Sequence, residues 1–555
     1  MNSSITTGAV ATAPGFLSKE RIIARPGFNR WLVPPAALAI HLCIGMAYGF
    51  SVFWLPLSQA IGITSPVACA PDMGFIARLF SADCDWQISM LSWIYTLFFV
   101  FLGCSAAVLG GWLEHAGPRK AGLVSALCWC GGLLISALGV YTHQLWLMWL
   151  GSGVIGGIGL GLGYISPVST LIKWFPDKRG MATGMAIMGF GGGAMVGAPL
   201  ATALMGHFSS TGEVGVWQSF VVMALIYFVF MTGGALAYRV PPTGWTPKGW
   251  APTVKKANTM ITNRHVHVSV AWKTPQFALI WLVLCLNVSA GIGILGMASP
   301  LLQEVFAGKL LGNELTFSEL DATQLGQIAA IAAIAAGFTG LLSLFNIGGR
   351  FFWASFSDYI GRKNTYFAFF ALGVALYSLV PNMGHLGNVA LFVAAFCIIL
   401  SMYGGGFSTV PAYLADLFGT QMVGAIHGRL LTAWAAAGVL GPVLITYLRE
   451  YQLALGVERA AAYDITLYIL AGLLVLGFIC NTLVRPVADK YFMTDAELAA
   501  ERALSHDKGA DGSQSLAWQA APGSVPLAVA AWLAVGIPLA WGIWATLQKT
   551  AVLFQ

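Results

Sequence analysis

Charged residues are scarce in this sequence: they make up 9 % of its 555 residues, whereas a soluble domain carries roughly a quarter. This scarcity excludes an ordinary soluble protein, and the 57 % share of hydrophobic residues excludes a disordered chain. The 28 Lys and Arg exceed the 22 Asp and Glu by little, and their placement says more than their sum, so no nucleic acid is expected as a partner. With 66 glycines and 20 tryptophans, the composition is typical of an integral membrane protein surrounded by lipid.

Cysteine is also scarce, with nine residues that show no metal-binding spacing. Seven of them lie in apolar stretches, where cysteine behaves as a small hydrophobic residue. Cys69 and Cys84 lie instead in a polar loop expected outside the membrane, where a disulfide would close a loop of about 15 residues; the sequence leaves this pairing open. His265 and His267 are two metal ligands without a third, so neither a metal site nor a cofactor is expected.

Long apolar runs are what the sequence has in abundance. A helix that spans a membrane needs about 20 apolar residues. Thirteen stretches meet this condition, near residues 33–60, 87–112, 121–141, 145–172, 181–206, 217–239, 275–302, 325–356, 366–382, 387–413, 430–447, 462–484 and 524–546. Residues 1–30 carry Arg21 and Arg25 but no apolar core of a signal peptide, so we expect a cytosolic tail.

Polar segments divide these stretches into groups. The basic segment 240–273 separates six stretches in residues 31–239 from six in residues 274–485. A second polar segment, 486–523, precedes the last stretch at 524–546. We therefore predict an all-α membrane protein with two six-helix bundles, a basic cytosolic linker, a further cytosolic segment and an additional C-terminal transmembrane helix.

The placement of positive charge indicates the orientation. With a cytosolic N-terminus, most Lys and Arg fall in cytosolic loops, as the positive-inside rule requires. The cations left outside are Arg78, Lys309, Arg449, Arg459 and Lys549. We expect a location in a bacterial inner membrane, with the C-terminus outside because the number of spanning helices is odd.

A short signature occurs after the second stretch and again after the eighth. It reads GGWLEHAGPRK at 110–120 and GGRFFWASFSDYIGRK at 348–363, with the same spacing from an acidic residue to a glycine and a basic pair just beyond. The equivalent residues are Glu114, Gly117, Arg119 and Lys120 in the first copy and Asp358, Gly361, Arg362 and Lys363 in the second. Parallel repeats are typical of a transporter whose halves are related by a pseudo-two-fold axis and move about a site at the middle of the membrane.

The repeated signature resembles motif A of the major facilitator superfamily. Two further segments, KWFPDKRGMATGMAIMGFGGGAMVGAP (173–199) and HGRLLTAWAAAGVLGP (427–442), resemble its oxalate/formate antiporter family, which is related to the monocarboxylate transporters. The likeness covers about residues 31–485. It implies the major facilitator fold and a small organic anion as the substrate.

The charged residues of the signature are candidates for gating. Glu114 and Asp358 lie near the cytosolic ends of the second and eighth stretches, where they can pair with arginines of neighbouring helices, and opening would break these contacts. The alternative is that they are solvated loop charges. The other gating candidates are Arg119, Lys120, Arg362 and Lys363, and the resemblance adds Asp416 at the end of the tenth stretch.

Arg350 is the residue most informative about function. It lies eight positions before Asp358 and therefore about 12 Å into the membrane. An arginine at that depth costs at least about 2.5–3.5 kcal/mol, so it should face the protein interior and bind an anion. No apolar stretch carries Asp or Glu at comparable depth, which favours a diffusible carboxylate held by two parallel hydrogen bonds. The alternative is a guanidinium that snorkels or bonds backbone carbonyls, whereas the resemblance implies a substrate-binding arginine at this point.

Two further residues bear on proton coupling. Asn346 lies one turn from Arg350, at a position where the resemblance implies a protonatable Asp in related monocarboxylate transporters. The amide cannot titrate, which favours anion exchange over proton symport. His41 in the first stretch is the alternative proton carrier, or else a packed histidine bonded to a backbone carbonyl.

Aromatic residues complete the predicted site. Tyr48, Tyr164 and Tyr403 lie in mid-stretch among glycines, and a buried phenol can donate to a carboxylate, although ordinary packing is the alternative. Similarity to the aromatic-walled cavity of the family favours Tyr48 and Tyr164. Trp434 occupies a position where the resemblance implies a lysine in the oxalate carrier, so one positive charge remains and a monoanion such as formate, lactate or pyruvate is favoured.

These features predict a secondary transporter that exchanges small organic anions, either formate and oxalate or a monocarboxylate, by alternating access around Arg350. A proton-coupled monocarboxylate symporter is the alternative within transport. A membrane sensor or scaffold that binds a carboxylate without moving it is the alternative of another class. An enzyme is not expected, since no helix end gathers a catalytic set, and the sequence names no protein partner.

Overall fold

A computed structural model gives the structure of the chain. It describes all residues except 1–14, 64–65, 176–178, 211–212, 243–244, 249–259, 263, 314, 324, 420, 506–520, 522 and 555. Much of the predicted linker and of the segment before the last helix therefore falls outside the described residues. Within the described residues the regular structure is helical, and thirteen helices are long and apolar enough to cross a membrane.

These thirteen helices are numbered in chain order. They are α1 (Arg30–Leu57), α2 (Ile88–Ala116), α3 (Pro118–Tyr141), α4 (145–174), α5 (Arg179–Phe208), α6 (Val216–Ala237), α7 (Pro275–Phe306), α8 (Leu325–Ile360), α9 (Arg362–His385), α10 (Val389–Phe418), α11 (Val423–Ala454), α12 (Asp464–Leu483) and α13 (Ser524–Thr550). Shorter helices lie at Phe75–Phe80, Phe317–Thr323 and Asp495–Ser505. Helices α1–α6 form the first half and α7–α12 the second, and α13 packs beside both.

Two glycines form the sharp turns of the repeated signature. Gly117 separates α2 from α3, and Gly361 separates α8 from α9, with φ angles of 82° and 86°. Side chains other than that of glycine are strained at such angles, so both halves reverse direction at an equivalent point of the repeat. Pro118 then begins α3, where its missing N–H is not needed.

Glycines also bring helix backbones into contact near the centre. A Cβ atom on Gly193 would lie 2.1 Å from the carbonyl carbon of Gly45, so α5 and α1 meet without side chains between them. A Cβ atom on Gly349 would lie 2.0 Å from the carbonyl oxygen of Ser401, so α8 and α10 meet in the same way. At its contact with α5, α1 narrows into a 3₁₀ segment, Gly45–Phe53. Such departures from α geometry are frequent at functional positions.

The two halves touch at the end of the molecule opposite the repeated signature, called the outer end here after its expected orientation. The Trp54 indole N–H of α1 donates to the Gly296 carbonyl oxygen of α7 at 2.9 Å. The backbone N–H of Ser89, in α2, donates to the carboxylate of Glu450, in α11, also at 2.9 Å. Each of these bonds joins one half to the other, so the two halves are in contact at the outer end.

The polar loop between α1 and α2 is cross-linked at the outer end. A disulfide joins Cys69 to Cys84, whose Cα atoms lie 4.9 Å apart, so the structure contains the pairing that the sequence left open. Next to it, the carboxylate of Asp85 accepts the backbone N–H groups of Ile61 and Val67 at 2.7 and 2.8 Å. These bonds hold the loop against the start of α2.

Candidate anion-binding site

Arg350 of α8 is completely buried between the two halves of the molecule. Its Nε donates to the Asn346 side-chain oxygen at 3.1 Å, one turn earlier on the same helix. Its terminal nitrogens, Nη1 and Nη2, make no hydrogen bond of ordinary geometry with the described residues, although the Tyr48 and Tyr164 hydroxyls lie near the guanidinium. No described carboxylate pairs with them. An uncompensated buried cation is unfavourable, so the pocket is electrostatically incomplete without an anion.

Space for this pair of side chains comes from glycines on neighbouring helices. A Cβ atom on Gly191 of α5 would lie 3.0 Å from the Arg350 Nε. A Cβ atom on Gly404 of α10 would lie 2.5 Å from the side-chain oxygen of Asn346. A larger residue at either position would displace the guanidinium or the amide, so these glycines determine where the positive charge lies.

Further hydrogen-bond donors in the site also lack an acceptor. They are the Asn346 side-chain nitrogen, the Tyr164 hydroxyl and the Trp434 indole N–H, each buried and without a partner in the described part of the chain. Tyr164 belongs to α4 in the first half, whereas Trp434 belongs to α11 in the second. Donors from both halves thus surround a place where the described residues present no carboxylate, and a carboxylate supplies acceptors alone.

Aromatic rings enclose these donors. The ring of Phe407 lies 5.5 Å from the Arg350 guanidinium carbon and 4.4 Å from the Trp434 ring. The Tyr164 ring packs edge-on against Trp434, with centroids 5.1 Å apart. This aromatic cage keeps water from the guanidinium and strengthens any hydrogen bond that an anion makes there.

Two tyrosines of the cage join the halves directly. The hydroxyls of Tyr48, in α1, and Tyr403, in α10, lie 2.7 Å apart. Because one hydroxyl donates to the other, the second keeps a free O–H that it can donate to a ligand. The structure therefore brings all six predicted substrate-binding residues into one buried cluster, at most 1 % exposed: Tyr48, Tyr164, Asn346, Arg350, Tyr403 and Trp434.

His41 lies beside the cage and is completely buried. Its ring stacks on Tyr164, with centroids 5.6 Å apart. Its two nitrogens face backbone carbonyl oxygens, that of Ala186 at Nδ1 and that of Tyr164 at Nε2, the latter at 3.2 Å. A neutral imidazole has one N–H and can satisfy one of the two carbonyls, whereas a protonated ring would satisfy both.

The second copy of the signature forms a charged cluster at the inner end. The Arg362 guanidinium pairs with Asp358 one turn earlier and lies 3.7 Å from the carboxylate of Asp416 at the end of α10. The ammonium group of Lys363 donates to the carbonyl oxygens of Thr482 and Val484, at 3.0 and 2.8 Å. Arg362 thus links α8, α9 and α10, as a gating contact would.

The first copy differs in its partners. Arg119 is buried and donates to two backbone carbonyl oxygens, those of Phe16 and Leu236, each at 3.2 Å. Lys120 is exposed, and its ammonium lies 5.9 Å from the Trp112 ring. The side chain of Glu114 lies outside the described part, so its gating role stays a prediction.

Comparison of the sequence with family models identifies the fold. Residues 38–442 match the model of the Major Facilitator Superfamily. The chain belongs to this superfamily. The match confirms the resemblance to this superfamily and agrees with the all-helical architecture of the described residues, so the protein is an integral membrane transporter and not an enzyme.

Several curated relatives of this superfamily member are named after small organic anions. It is 24 % identical over 414 residues to the oxalate:formate antiporter of Oxalobacter formigenes, covering 74 % of this chain and 83 % of that protein. It is 24 % identical over 462 residues to apicoplast pyruvate carrier 1 of Toxoplasma gondii, covering 72 % and 80 %. A shorter match of 180 residues, also 24 % identical, joins it to monocarboxylate transporter 2 of Mus musculus, covering 32 % and 33 %.

A solved structure supports the fold independently of close sequence similarity. The fucose:proton symporter of E. coli superposes on this facilitator with a TM-score of 0.50 at 12 % sequence identity. The superposition covers 83 % of this chain and 100 % of that one. At this identity the likeness concerns the architecture alone.

The sequence prediction missed the burial of Arg449 in this transporter. Arg449, expected in an outer loop, lies in α11, and its Nε donates to the Glu304 carboxylate of α7 at 2.7 Å. Tyr463 donates to the same carboxylate at 2.6 Å, and Arg459 lies 3.7 Å from it. Glu304, placed by its polar surroundings in a loop, belongs instead to the last turn of α7. Its position directly after an apolar run was the available signal.

Proposed function

We propose that this facilitator exchanges small organic anions across the membrane by alternating access, with the carboxylate bound to Arg350. One observation supports this proposal above all: the two terminal guanidinium nitrogens of Arg350 have no hydrogen-bond partner in the described protein, and further buried donors surround them. A carboxylate would accept two parallel hydrogen bonds from them, and one or two more from Tyr164 or Asn346. Binding would neutralise the buried charge and so favour the closed state between the two open ones.

The proposed substrate is a monoanion. Arg350 is the permanently charged side chain of the cage described above, and Trp434 contributes an uncharged indole N–H. The second carboxylate of oxalate would remain without a counter-charge in a dry pocket, at a cost of several kcal/mol. Formate, lactate and pyruvate fit this charge balance. The names of the relatives include formate, pyruvate and monocarboxylates, and also oxalate, which the charge balance disfavours.

Exchange is the proposed mode because the empty site retains a buried positive charge. Return of the unloaded transporter would carry that charge without a partner, whereas return with a second anion would not. Asn346 is close to the guanidinium and cannot supply or remove a proton in response. We place the protein in a bacterial inner membrane with its N-terminus in the cytosol, as the distribution of Lys and Arg favours.

Proton-coupled symport of a monocarboxylate is the second candidate, and His41 is the observation that favours it. Its two carbonyl neighbours would both be satisfied by an imidazolium, so a proton could enter together with the anion. The two modes differ in what drives uptake: an internal counter-anion drives exchange, and an inward proton gradient drives symport.

Proteoliposomes test both the site and the mode. Wild-type vesicles preloaded with unlabelled formate should take up labelled formate, lactate or pyruvate, and empty vesicles should take up little. Arg350→Lys should lose most of this uptake because an ammonium cannot form the two parallel hydrogen bonds. Arg264→Lys, at an exposed arginine paired with Asp489, is the matched control and should keep it.

Three results would change the proposal. Equal losses in the two variants would remove Arg350 from the site. Uptake into empty vesicles that follows an acid exterior would replace exchange by symport. Binding of labelled carboxylate that depends on Arg350 but is never followed by accumulation would favour a sensor over a transporter.

A further inference from the structure

Helix α13 is attached to the first half of the molecule along its inner part. The Trp532 indole N–H donates to the Trp31 carbonyl oxygen, at the beginning of α1, at 3.1 Å. Three residues further on, Val535 packs against Leu38 of α1 and is buried. The inner part of α13 is therefore joined to α1.

Farther out, α13 packs closely against α5, which also belongs to the first half. A Cβ atom on Gly542 would lie 2.8 Å from Cγ2 of Val196 and 3.0 Å from the carbonyl oxygen of Met195. One turn later, the Thr546 hydroxyl donates to the same Met195 oxygen at 3.4 Å. This small-residue contact lets the two helix backbones approach, as is usual for helices that associate within lipid.

The same turns of α13 also contact the second half. A Cβ atom on Gly340 of α8 would lie 2.4 Å from the Thr546 hydroxyl oxygen, and one on Gly337 would lie 2.7 Å from Cβ of Lys549. The chain then continues as a short helix, Ala551–Phe554, that contacts α10, with Leu553 2 % exposed. At its outer end α13 is therefore anchored to α8 and α10.

The contacts of α13 with α5 and α8 lie between Arg350 and the outer end of the molecule. Gly340 precedes Arg350 by ten residues, which corresponds to about 15 Å along α8 toward the outer end. The outer contacts between the halves, from Trp54 to Gly296 and from Ser89 to Glu450, must separate when the site opens outward. Thr546 touches α5 and α8 together, so it spans the two halves on the side where they must separate.

We propose that α13 is a strap that holds the outer ends of the two halves together and shifts the conformational equilibrium away from the outward-open state. The inference rests on the alternating access proposed above but not on any particular substrate. The exposure of Ile537 and Trp544 would also be expected of an accessory helix that only faces lipid. Such a helix would not require the close contacts made at Gly337, Gly340 and Gly542. A ligand can shift this equilibrium only by its differential affinity, so the strap sets the starting populations on which any anion acts.

A pair of glycines on α13 provides a matched test. Gly542→Leu would drive a side chain into α5, whereas Gly536→Leu adds the same side chain where a Cβ atom meets nothing within 4 Å. Nitroxide labels at Gln87 and Tyr451, both exposed at the outer ends of α2 and α11, report the distance between the halves. The labels go on the full-length chain with its seven unpaired cysteines replaced by alanine.

The strap predicts that Gly542→Leu increases the population with the longer distance at least about fivefold, without any substrate present. Gly536→Leu should leave the distance distribution at that of the parent. Thr546→Val, which keeps the side-chain volume and removes the hydroxyl that donates to Met195, should shift the distribution in the same direction by less, and it serves if Gly542→Leu does not fold.

Unchanged distances in both Gly542→Leu and Thr546→Val would overturn the strap, as would an equal shift in Gly536→Leu. Because the distance is measured without substrate, these results stand whether or not carboxylate exchange is observed. Conversely, a failure of Arg350→Lys to reduce uptake would count against the anion site and leave the strap untouched.

Discussion

Two buried arginines in the same half of the molecule differ in what surrounds them. Arg449 is 5 % exposed and is held by the carboxylate of Glu304. Arg350 is 0 % exposed and is held by an amide oxygen at Nε alone. Burial therefore does not distinguish the two arginines; the terminal nitrogens do, because those of Arg350 have no hydrogen-bond partner among the described residues, and our proposal assigns them to a bound anion.

The difference has an energetic meaning. In the Arg449 cluster the attraction between the charges offsets the cost of removing them from water, so each partner depends on the other. At Arg350 no described carboxylate provides that offset, and under the proposed function a bound anion would supply it. The two arginines should consequently respond in opposite ways when each is replaced by an uncharged residue.

The largest effect is expected at Arg449. Arg449→Met should lower the free energy of unfolding by about 3–5 kcal/mol, because the buried Glu304 carboxylate would keep only the Tyr463 hydroxyl and the more distant Arg459 as partners among the described residues. The melting temperature in detergent measures this loss. The double variant with Glu304→Gln should recover part of it, and a double variant no more stable than Arg449→Met would show that the two side chains do not act as a pair.

At Arg350 the same measurement should change sign. Arg350→Gln should leave the melting temperature of the substrate-free protein unchanged or higher, since it removes an uncompensated buried charge. Formate or pyruvate at about 100 times its dissociation constant should stabilise the wild type by about 2.7 kcal/mol and the variant not at all. If Arg350→Gln were as destabilising as Arg449→Met, the interpretation of Arg350 as an anion-binding residue would fail.

Trp434 allows the charge of the cage to be changed. Trp434→Lys adds a second cation beside Arg350, so the ratio of oxalate to formate uptake should rise at least about tenfold, which is about 1.4 kcal/mol. Trp434→Phe removes the indole N–H without adding charge and separates the two contributions. An oxalate preference that rises equally in both variants would mean that cavity size, and not charge, selects the anion.

The sequence could predict those features of the fold and of the site that depend on a single helix. The thirteen spanning helices follow from the length of their apolar runs, and the depth of Arg350 follows from counting residues along one helix. Asn346 was also within reach, because residues four apart share a helix face. These predictions need no knowledge of how the helices pack.

Contacts between helices were beyond prediction for a physical reason. Arg449 and Glu304 are 145 residues apart, and Tyr48 and Tyr403 are 355 apart, so each pairing depends on the rotation and register of two helices. The rotation and register depend on close contacts between helices, such as that of Gly404 with Asn346. In the sequence these contacts are visible only as a high content of glycine. The same reason kept the attachment of α13 to α5 and α8 hidden.

The smallest predicted effect compares two buried tyrosines whose hydroxyls both lack a partner in the described structure. Tyr164 lies in the cage, whereas Tyr377 lies in α9 and is not one of the six residues of the buried cluster, although it lines a small cavity together with Tyr403. Phenylalanine at either position removes an unsatisfied polar group, so both variants should be as stable as the wild type or slightly more so. Tyr164→Phe should nevertheless weaken carboxylate binding by about three- to tenfold, which corresponds to the loss of one hydrogen bond, and Tyr377→Phe should not.

Thermal stability and formate competition, measured on the same preparations, test the stability and the affinity of both variants. Equal affinities would show that Tyr164 closes the cage without donating to the anion, which would leave Arg350 and Asn346 as its main donors.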